Sequence, residues 1–484
     1  MSSCAGQGAL YWRIVISATV CPRGVDLRGH LRYTFDNDCG AAAAIILCES
    51  ESAIMSNTFL QTPPMGWNSW DCYGASVRED EVLANARFMA DNLKVHGWEY
   101  VTVDIEWSEP GAQGTEYRNL PKLCMDKYGR QRPAENRFPS AKGGAGFKPL
   151  ADAVHAMGLK FGIHILRGIP RQAVYADCPV LGTEYTARDV AVGDNVCPWN
   201  MDMYGLNTKH PGAQAYYDSI FRLYAEWGVD LVKVDDMSHM QYFWKEDDYY
   251  EDEARIIRNA IDKCGRNIVF SSSPGMYSLN AARTVSECTN MWRISNDFWD
   301  SWKALDEQFD LLTKWLPYMS KGHYPDADMI PIGRLSVRSN SEWNKPRMTN
   351  FTQNEQYFLM SLWCIARSPL ILGCDMPGMD DFTRSLLTND YALDVNQHSN
   401  GTRMIFRRGG IGAWACDTQE GACVGLFNLE NETRAASITL AEAGLTGKFD
   451  ATDAWKERHI MNDGEMLCVK LGAHEGTLIR LRRE

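Results

Sequence analysis

From Pro64 onward, short apolar runs rich in β-branched residues alternate with longer segments whose apolar residues recur at helical spacing. "PMGWNSW" leads into "EDEVLANARFMADNLKVHG", "YVTVDIEW" into "KPLADAVHAMG", and "LKFGIHIL" into "AQAYYDSIFRLYAEWG". "DLVKVDDM" precedes "EDEARIIRNAIDKCG", and "NIVFSSSPG" precedes a weaker helical pattern, "LNAARTVSECT". "MWRISNDFW", "DADMIPIG" and "PLILGC" are followed by "ALDEQFDLLTKWLPYM", "NEQYFLMSLWCIARS" and "MDDFTRSLLTN". Several of these helices run into Gly just before the next strand, the usual stop signal. Eight strand–helix units predict an α/β chain folded as a (β/α)8 TIM barrel over 55–395. A doubly wound open sheet would place a Gly-rich phosphate turn after its first strand, and no such turn is present.

After "YALDVNQHS" the period changes. "RMIFRRG", "IGAWAC", "CVGLFNL", "RAASITL", "KFDATDAW" and "GTLIRLR" are short strand patterns separated by turn residues. They predict a C-terminal antiparallel β-sandwich over 396–484. Residues 1–54 fit neither pattern and stand as an unassigned N-terminal extension. "ALYWRIVISATVC" has the apolar character of a signal segment, but Arg13 interrupts it and a charged leader is missing. Met55 opens the ordered pattern and is the expected natural start. The expectation for location is therefore the cytoplasm, with secretion second.

Composition narrows the function classes. The net charge is −13 and the pI about 5.3, which argues against nucleic acid, since phosphate binding needs a basic face. No apolar run reaches the length of a membrane span. Fifteen cysteines without a CxxC pair point to mostly free thiols in a reducing compartment rather than a disulfide framework; no metal and no cofactor are expected. Cys416 and Cys423 flank a hairpin turn, "DTQEGA", and are read as two free thiols. The composition is compatible with a homo-oligomer and does not require one.

The charged positions inside the strands carry the chemistry. Side chains alternate faces along a strand, so Lys233 and Asp235 share one face of "LVKVDD". Arg293, Ser295 and Asp297 share a face of "WRISNDF", and Asp104 and Glu106 share a face of "VTVDIEW". Barrel active sites gather at the C-terminal strand ends, where these carboxylates fall. An isolated Asp in such a position is often a cap or turn residue, and that is the reading for Asp236, expected to face a loop. Unpaired charges on a lumen face are costly, although Lys233 and Arg293 could also serve as structural ion pairs. Two carboxylates across a pocket suit glycoside hydrolysis, one attacking the anomeric carbon and the other protonating the leaving oxygen.

These motifs resemble a known family. "PPMGWNSW", "GLKFGIHI", "DLVKVDD" and "WRISNDFWDSW" are similar to motifs of glycoside hydrolase family 27, the α-galactosidases and α-N-acetylgalactosaminidases of clan D. The resemblance runs from about Thr62 to Asn396 and implies a carbohydrate substrate. It implies Asp235 as nucleophile, Asp297 as acid/base, and Lys233 and Arg293 as ligands of sugar hydroxyls. It implies Trp70 as a ring wall and Asp104 as the first of two adjacent acids holding the hydroxyls of carbons 4 and 6. Asp326 and Asp328 match a supporting element of strand seven.

The departures from the family pattern concern the sugar. The second adjacent acid is replaced by Ile105, with Glu106 one residue on as its expected substitute. Met237 stands where the family usually has Cys. Strand three ends "HILRG", which makes His164 and Arg167 candidate substrate contacts, His164 equally a core histidine. Ser273 stands where galactosidases commonly carry Glu and acetamido-sugar enzymes carry Ser, but Met276 is larger than the latter have. The resulting expectation is a retaining exo-α-galactosidase, favoured by Asp104 and Trp70. Were Ile105 to fill the space of carbon 6, a β-L-arabinopyranosidase would follow; α-N-acetylgalactosaminidase and isomaltose-releasing dextranase are the other family activities. A sugar-binding protein with a decayed site is the alternative from another class, and retention of both Asp235 and Asp297 argues against it.

Overall fold

A computed structural model of the chain describes residues 59–238, 249–273, 275–339 and 345–484. The expectations for the 1–54 extension, its signal-like segment and Met55 lie outside these residues. Eight strands form one curled parallel sheet in the order seven, six, five, four, three, two, one, eight, seven of them where the sequence places them and the seventh just ahead of the "DADMIPIG" run, with which it shares Asp326. They are Met65–Asn68, Tyr100–Val103, Lys160–Leu166, Leu231–Asp235, Val269–Ser273, Met291–Arg293, Tyr324–Asp326 and Leu370–Leu372. Strand one pairs with both two and eight. The seam between seven and eight carries a parallel bridge, Ile330 to Leu372. The architecture is thus TIM-like, as the alternation of patterns predicts.

Burial explains the apolar strand runs. Val101, Val103, Phe161, Ile163, Val232, Val234 and Phe270 are fully buried and join the main hydrophobic core. Helices Glu79–Asn92, Lys148–Ala156, Pro211–Trp227, Glu251–Lys263, Trp302–Trp315 and Gln353–Ala366 cover the sheet with their apolar faces. Gly228 ends the third of these in the left-handed region, φ +83°, which costs Gly nothing and lets the chain turn at once into strand four. Between strands three and four the chain makes an unpredicted three-stranded sheet of Ile169–Pro170, Met203–Leu206 and Ala191–Val196. Its strands are only two to six residues long, too short to show a period.

The C-terminal part is antiparallel. Asn400–Arg408, Ile411–Thr418, Gly421–Asn428, Gly476–Arg483, Phe449–Asp453 and Arg458–His459 form one sheet in that order. Arg434–Thr439, Met466–Leu471 and Met461–Asn462 form a second, and Val424, Leu426, Ile438, Leu467, Ile479 and Leu481 fill the layer between them. The larger sheet turns its other face to the barrel helices: Phe427 packs on Phe309 and Phe358 at ring centroid distances of 5.5 and 4.8 Å. Cys416 and Cys423 lie directly opposite each other across the predicted hairpin, buried and not bonded.

Candidate active site

Asp104 follows the last residue of strand two. Its Oδ2 accepts hydrogen bonds from Asn68 Nδ2 at 2.7 Å and Lys233 Nζ at 2.9 Å, and its Oδ1 accepts from the Ile105 amide at 2.8 Å. Burial by itself would raise this carboxyl. The Lys233 ammonium outweighs it, helped by His164 and the donated hydrogen bonds, and holds Asp104 well below the usual carboxylate range. Burial pushes Lys233 the other way, but Asp104 and Asp235 keep it firmly protonated. The pair is a fixed acceptor and donor in the lumen.

Asp235 ends strand four. Its Oδ1 accepts from the Asp236 amide at 2.8 Å, its Oδ2 accepts from Ser273 Oγ at 3.2 Å, and His164 Nε2 lies 3.3 Å from the same oxygen. Three neighbours therefore set the direction of one carboxylate. Strand six supplies Arg293, whose guanidinium bonds Asp297 Oδ1 and Asp328 Oδ2, each at 3.0 Å. Arg293 is almost wholly buried, whereas the Asp297 side chain is 76 % exposed at the lip of the pocket. Asp326 Oδ1 accepts the Asp328 amide at 2.9 Å. Burial, with the Asp328 charge beside it, pushes Asp326 up to about 7.

Trp70, Asp104, His164, Lys233, Asp235, Arg293 and Asp297 line a common cavity of about 210 Å³. That is smaller than the roughly 300–1,000 Å³ of pockets that enclose drug-sized ligands, and it suits a single sugar residue. The Trp70 ring stacks on Tyr117 at 5.7 Å and 16°, and Tyr117 leans on Trp199 at 5.3 Å. Tyr117, Trp199, Trp299, Asp71 and Met329 also line the cavity and were not singled out from sequence. Most of them lie on loops beyond the strand ends, where no period marks a residue. Ser273 sits under the cavity floor, in an internal space of about 30 Å³ shared with Lys233, Arg293 and Asp326.

Two candidates point elsewhere. Strand two ends at Val103, so alternation no longer governs Glu106, which adopts φ +67°. Glu106 is buried, accepts from Asn200 Nδ2 at 2.6 Å, and lines a separate space of about 20 Å³ with Asp202. Burial, with Asp202 nearby, raises its carboxyl. Ile105 takes the place in the main cavity wall, packed with Leu166, Met203, Trp70, Tyr117 and Trp199. Arg167 is likewise buried away from the cavity. It pairs with Asp236 Oδ2 at 2.9 Å and Glu253 Oε2 at 3.2 Å, bonds Asn195 at 2.7 Å, and stacks on the Tyr250 ring. Asp236 does not face an open loop: it is buried, at φ +62°, as the partner of Arg167.

The family model described as alpha galactosidase A (Melibiase_2) matches residues 200–398. The solved structure of a β-L-arabinopyranosidase of this family from Geobacillus stearothermophilus is 49 % identical. The match covers 87 % of this chain and 96 % of that one, with a TM-score of 0.84. The chain belongs to glycoside hydrolase family 27. A second solved relative, a putative α-N-acetylgalactosaminidase from Bacillus halodurans C-125, is 43 % identical over 88 % of this chain and all of its own, with a TM-score of 0.78. An α-galactosidase from Oryza sativa subsp. japonica is 26 % identical over 84 % of this chain and 81 % of its own length. As a family 27 protein the chain is a glycoside hydrolase, and its polar cavity lies at the strand ends, where barrel active sites gather.

Proposed function

We propose that the protein is a retaining exo-β-L-arabinopyranosidase. The observation that carries this reading is Ile105 in the cavity wall, backed by Leu166 and Met203, with the Glu106 carboxylate turned into a different space. Galactose and β-L-arabinopyranose differ only by the hydroxymethyl at carbon 5. An apolar wall beside that carbon leaves the extra hydroxyl of galactose without a partner, and a buried unpaired hydroxyl is costly. The 49 % identical relative named as a β-L-arabinopyranosidase supports the same reading.

In this reading Asp235 attacks the anomeric carbon while Asp297 protonates the leaving oxygen. Asp297 then takes a proton from water, which releases the sugar from Asp235 with net retention. The donors from Asp236, Ser273 and the nearby His164 aim the nucleophile, and Arg293 anchors the exposed acid/base. Asp104 and Lys233 accept from and donate to hydroxyls of the ring seated against Trp70. The test is kcat/KM on 4-nitrophenyl β-L-arabinopyranoside against the α-D-galactopyranoside, with NMR of the first-formed anomer to establish retention. An α-galactosidase is the second reading, favoured by Asp104 and Trp70 in the cavity and by the curated relatives. A galactoside preference in the wild type would select it.

A further inference from the structure

Asp71 follows Trp70 in the short helix Trp70–Tyr73 and lines the same cavity. It is only 3 % exposed, and its Oδ2 has no hydrogen-bond partner among the described residues. The molecule makes room for this group. A Cβ at Gly373, after strand eight, would lie 2.0 Å from Asp71 Oδ2. The Gly373 amide offers the carboxyl nothing in return, since it donates to Ile330 O at 3.2 Å. The Asp71 carbonyl has a structural task, accepting from the Ser336 amide at 2.8 Å, but no structural bond explains the Oδ2 atom. A buried polar atom without a partner is destabilising, and in a ligand cavity the partner it lacks is one the ligand brings.

We propose that Asp71 is a further substrate ligand, which hydrogen-bonds a hydroxyl of the sugar from the strand-one and strand-eight side of the cavity. The contact rests on the reading of this cavity as the sugar site, and it adds a ligand beyond the Asp104–Lys233 pair to the recognition of the ring. Its chemistry differs from that pair. Burial raises the Asp71 carboxyl well above the usual range, the Asp328 charge adds to this, and Lys233 only partly opposes it. The shift favours the protonated carboxyl, which donates as well as accepts, whereas Lys233 favours the anion at Asp104.

The test is a cycle between Asp71 variants and monodeoxy substrates, on the full chain. Asp71→Ala is expected to lower kcat/KM on the preferred nitrophenyl glycoside by about ten- to a hundredfold. Asp71→Asn, which keeps a neutral donor, is expected to recover most of that loss. On the one monodeoxy glycoside that lacks the contacted hydroxyl, wild type and Asp71→Ala should converge, because neither then makes the bond. Asp71→Ser carries the same cycle should the alanine variant not fold, as judged by its melting temperature. Equal losses for Asp71→Ala on every deoxy analogue, no loss on the parent glycoside, or an Asn variant as impaired as Ala would each overturn the proposal. The cycle uses whichever glycoside the wild type cleaves faster, so the choice between arabinopyranoside and galactoside can fail while the Asp71 contact stands.

Discussion

Replacing Ile105 by Asp perturbs the sugar assignment most directly. On the proposed reading, the hydroxymethyl of a galactoside meets Ile105 in the cavity wall, with Leu166 and Met203 packed behind it. One surplus carbon against a shaped apolar pocket is worth about 1–3 kcal/mol of discrimination. Leaving the hydroxyl it carries unpaired adds about another 1–3 kcal/mol. Together these give about 2–6 kcal/mol, so the arabinopyranoside should be preferred by roughly 30- to 10⁴-fold in kcat/KM. An aspartate at position 105 supplies an acceptor for that hydroxyl and removes the apolar contact to carbon 5. It also puts a second carboxylate next to Asp104, whose ammonium partner Lys233 is already engaged at 2.9 Å. We therefore expect the preference to collapse by at least about 100-fold, part of the change being a gain on the galactoside and part a loss on the arabinopyranoside. The assay is steady-state hydrolysis of the two nitrophenyl glycosides by wild type and Ile105→Asp, with melting temperatures to confirm folding. A wild type that prefers the galactoside, or a folded variant whose ratio of kcat/KM values does not move, refutes the reasoning.

Three further outcomes are expected. Asp235→Ala should lose several orders of magnitude in kcat with an unchanged melting temperature; a variant that kept most of its kcat would remove Asp235 from the nucleophile's role. Arg167→Ala leaves Asp236 and Glu253 buried without their cation, which should cost about 3–5 kcal/mol in urea unfolding with little change in KM. A stable variant with a sharply raised KM would instead place Arg167 on the sugar. Asp326 keeps its proton in the folded state up to about pH 7, whereas an unfolded aspartate loses it near pH 4. The unfolded chain therefore binds fewer protons across that window, and this group makes stability fall as pH rises from about 4 to 7, by up to about 4 kcal/mol. Asp326→Asn should flatten that slope in urea melts at pH 4.5 and 7.5, and an unchanged slope would show that Asp326 does not carry it.

The barrel was legible because its signal is repeated: each parallel strand is buried on both faces and must be apolar throughout, and each helix must show one apolar stripe. Charges inside such strands stand out, which is why Lys233, Asp235 and Arg293 could be found from spacing, and all three line the cavity. Strand Met466–Leu471 was missed, as was the sheet between strands three and four. The strands between three and four run only two to six residues, too short to show a period, whereas Met466–Leu471 alternates buried Leu467, Val469 and Leu471 with more exposed neighbours and carried a readable one. The aromatic wall of Tyr117 and Trp199 left no local trace, since both lie in loops and are placed by stacking on Trp70 and on each other.

The failure at Glu106 has a physical cause that bears on the chemistry. Alternation of faces belongs to extended backbone, and in strand two that backbone stops at Val103. Asp104 remains inward because Ser69 Oγ binds its amide at 3.0 Å and Asn68 and Lys233 hold its carboxylate. One residue later the constraint is gone. The Glu106 backbone turns to φ +67°, its carbonyl is taken by Arg137 and its carboxylate by Asn200, so the acid leaves the lumen and Ile105 closes the wall. On the proposed reading, the choice of sugar thus rests on Ile105 and its neighbours past the strand end, beyond the bonds that fix Asp104 and Asp235. A strand position such as Lys233 is tied to the pairing register on both sides, through His164 and Ser271. Position 105 has no strand partner: its amide bonds the Asp104 carboxylate, and its side chain is held by its packing neighbours. A substitution of the side chain there can therefore change the cavity wall while leaving the proposed catalytic pair, Asp235 and Asp297, in place. This separation, read from where strand two ends, is the physical reason to expect that Ile105→Asp alters which glycoside is cleaved while Asp235 and Asp297 continue to cleave it.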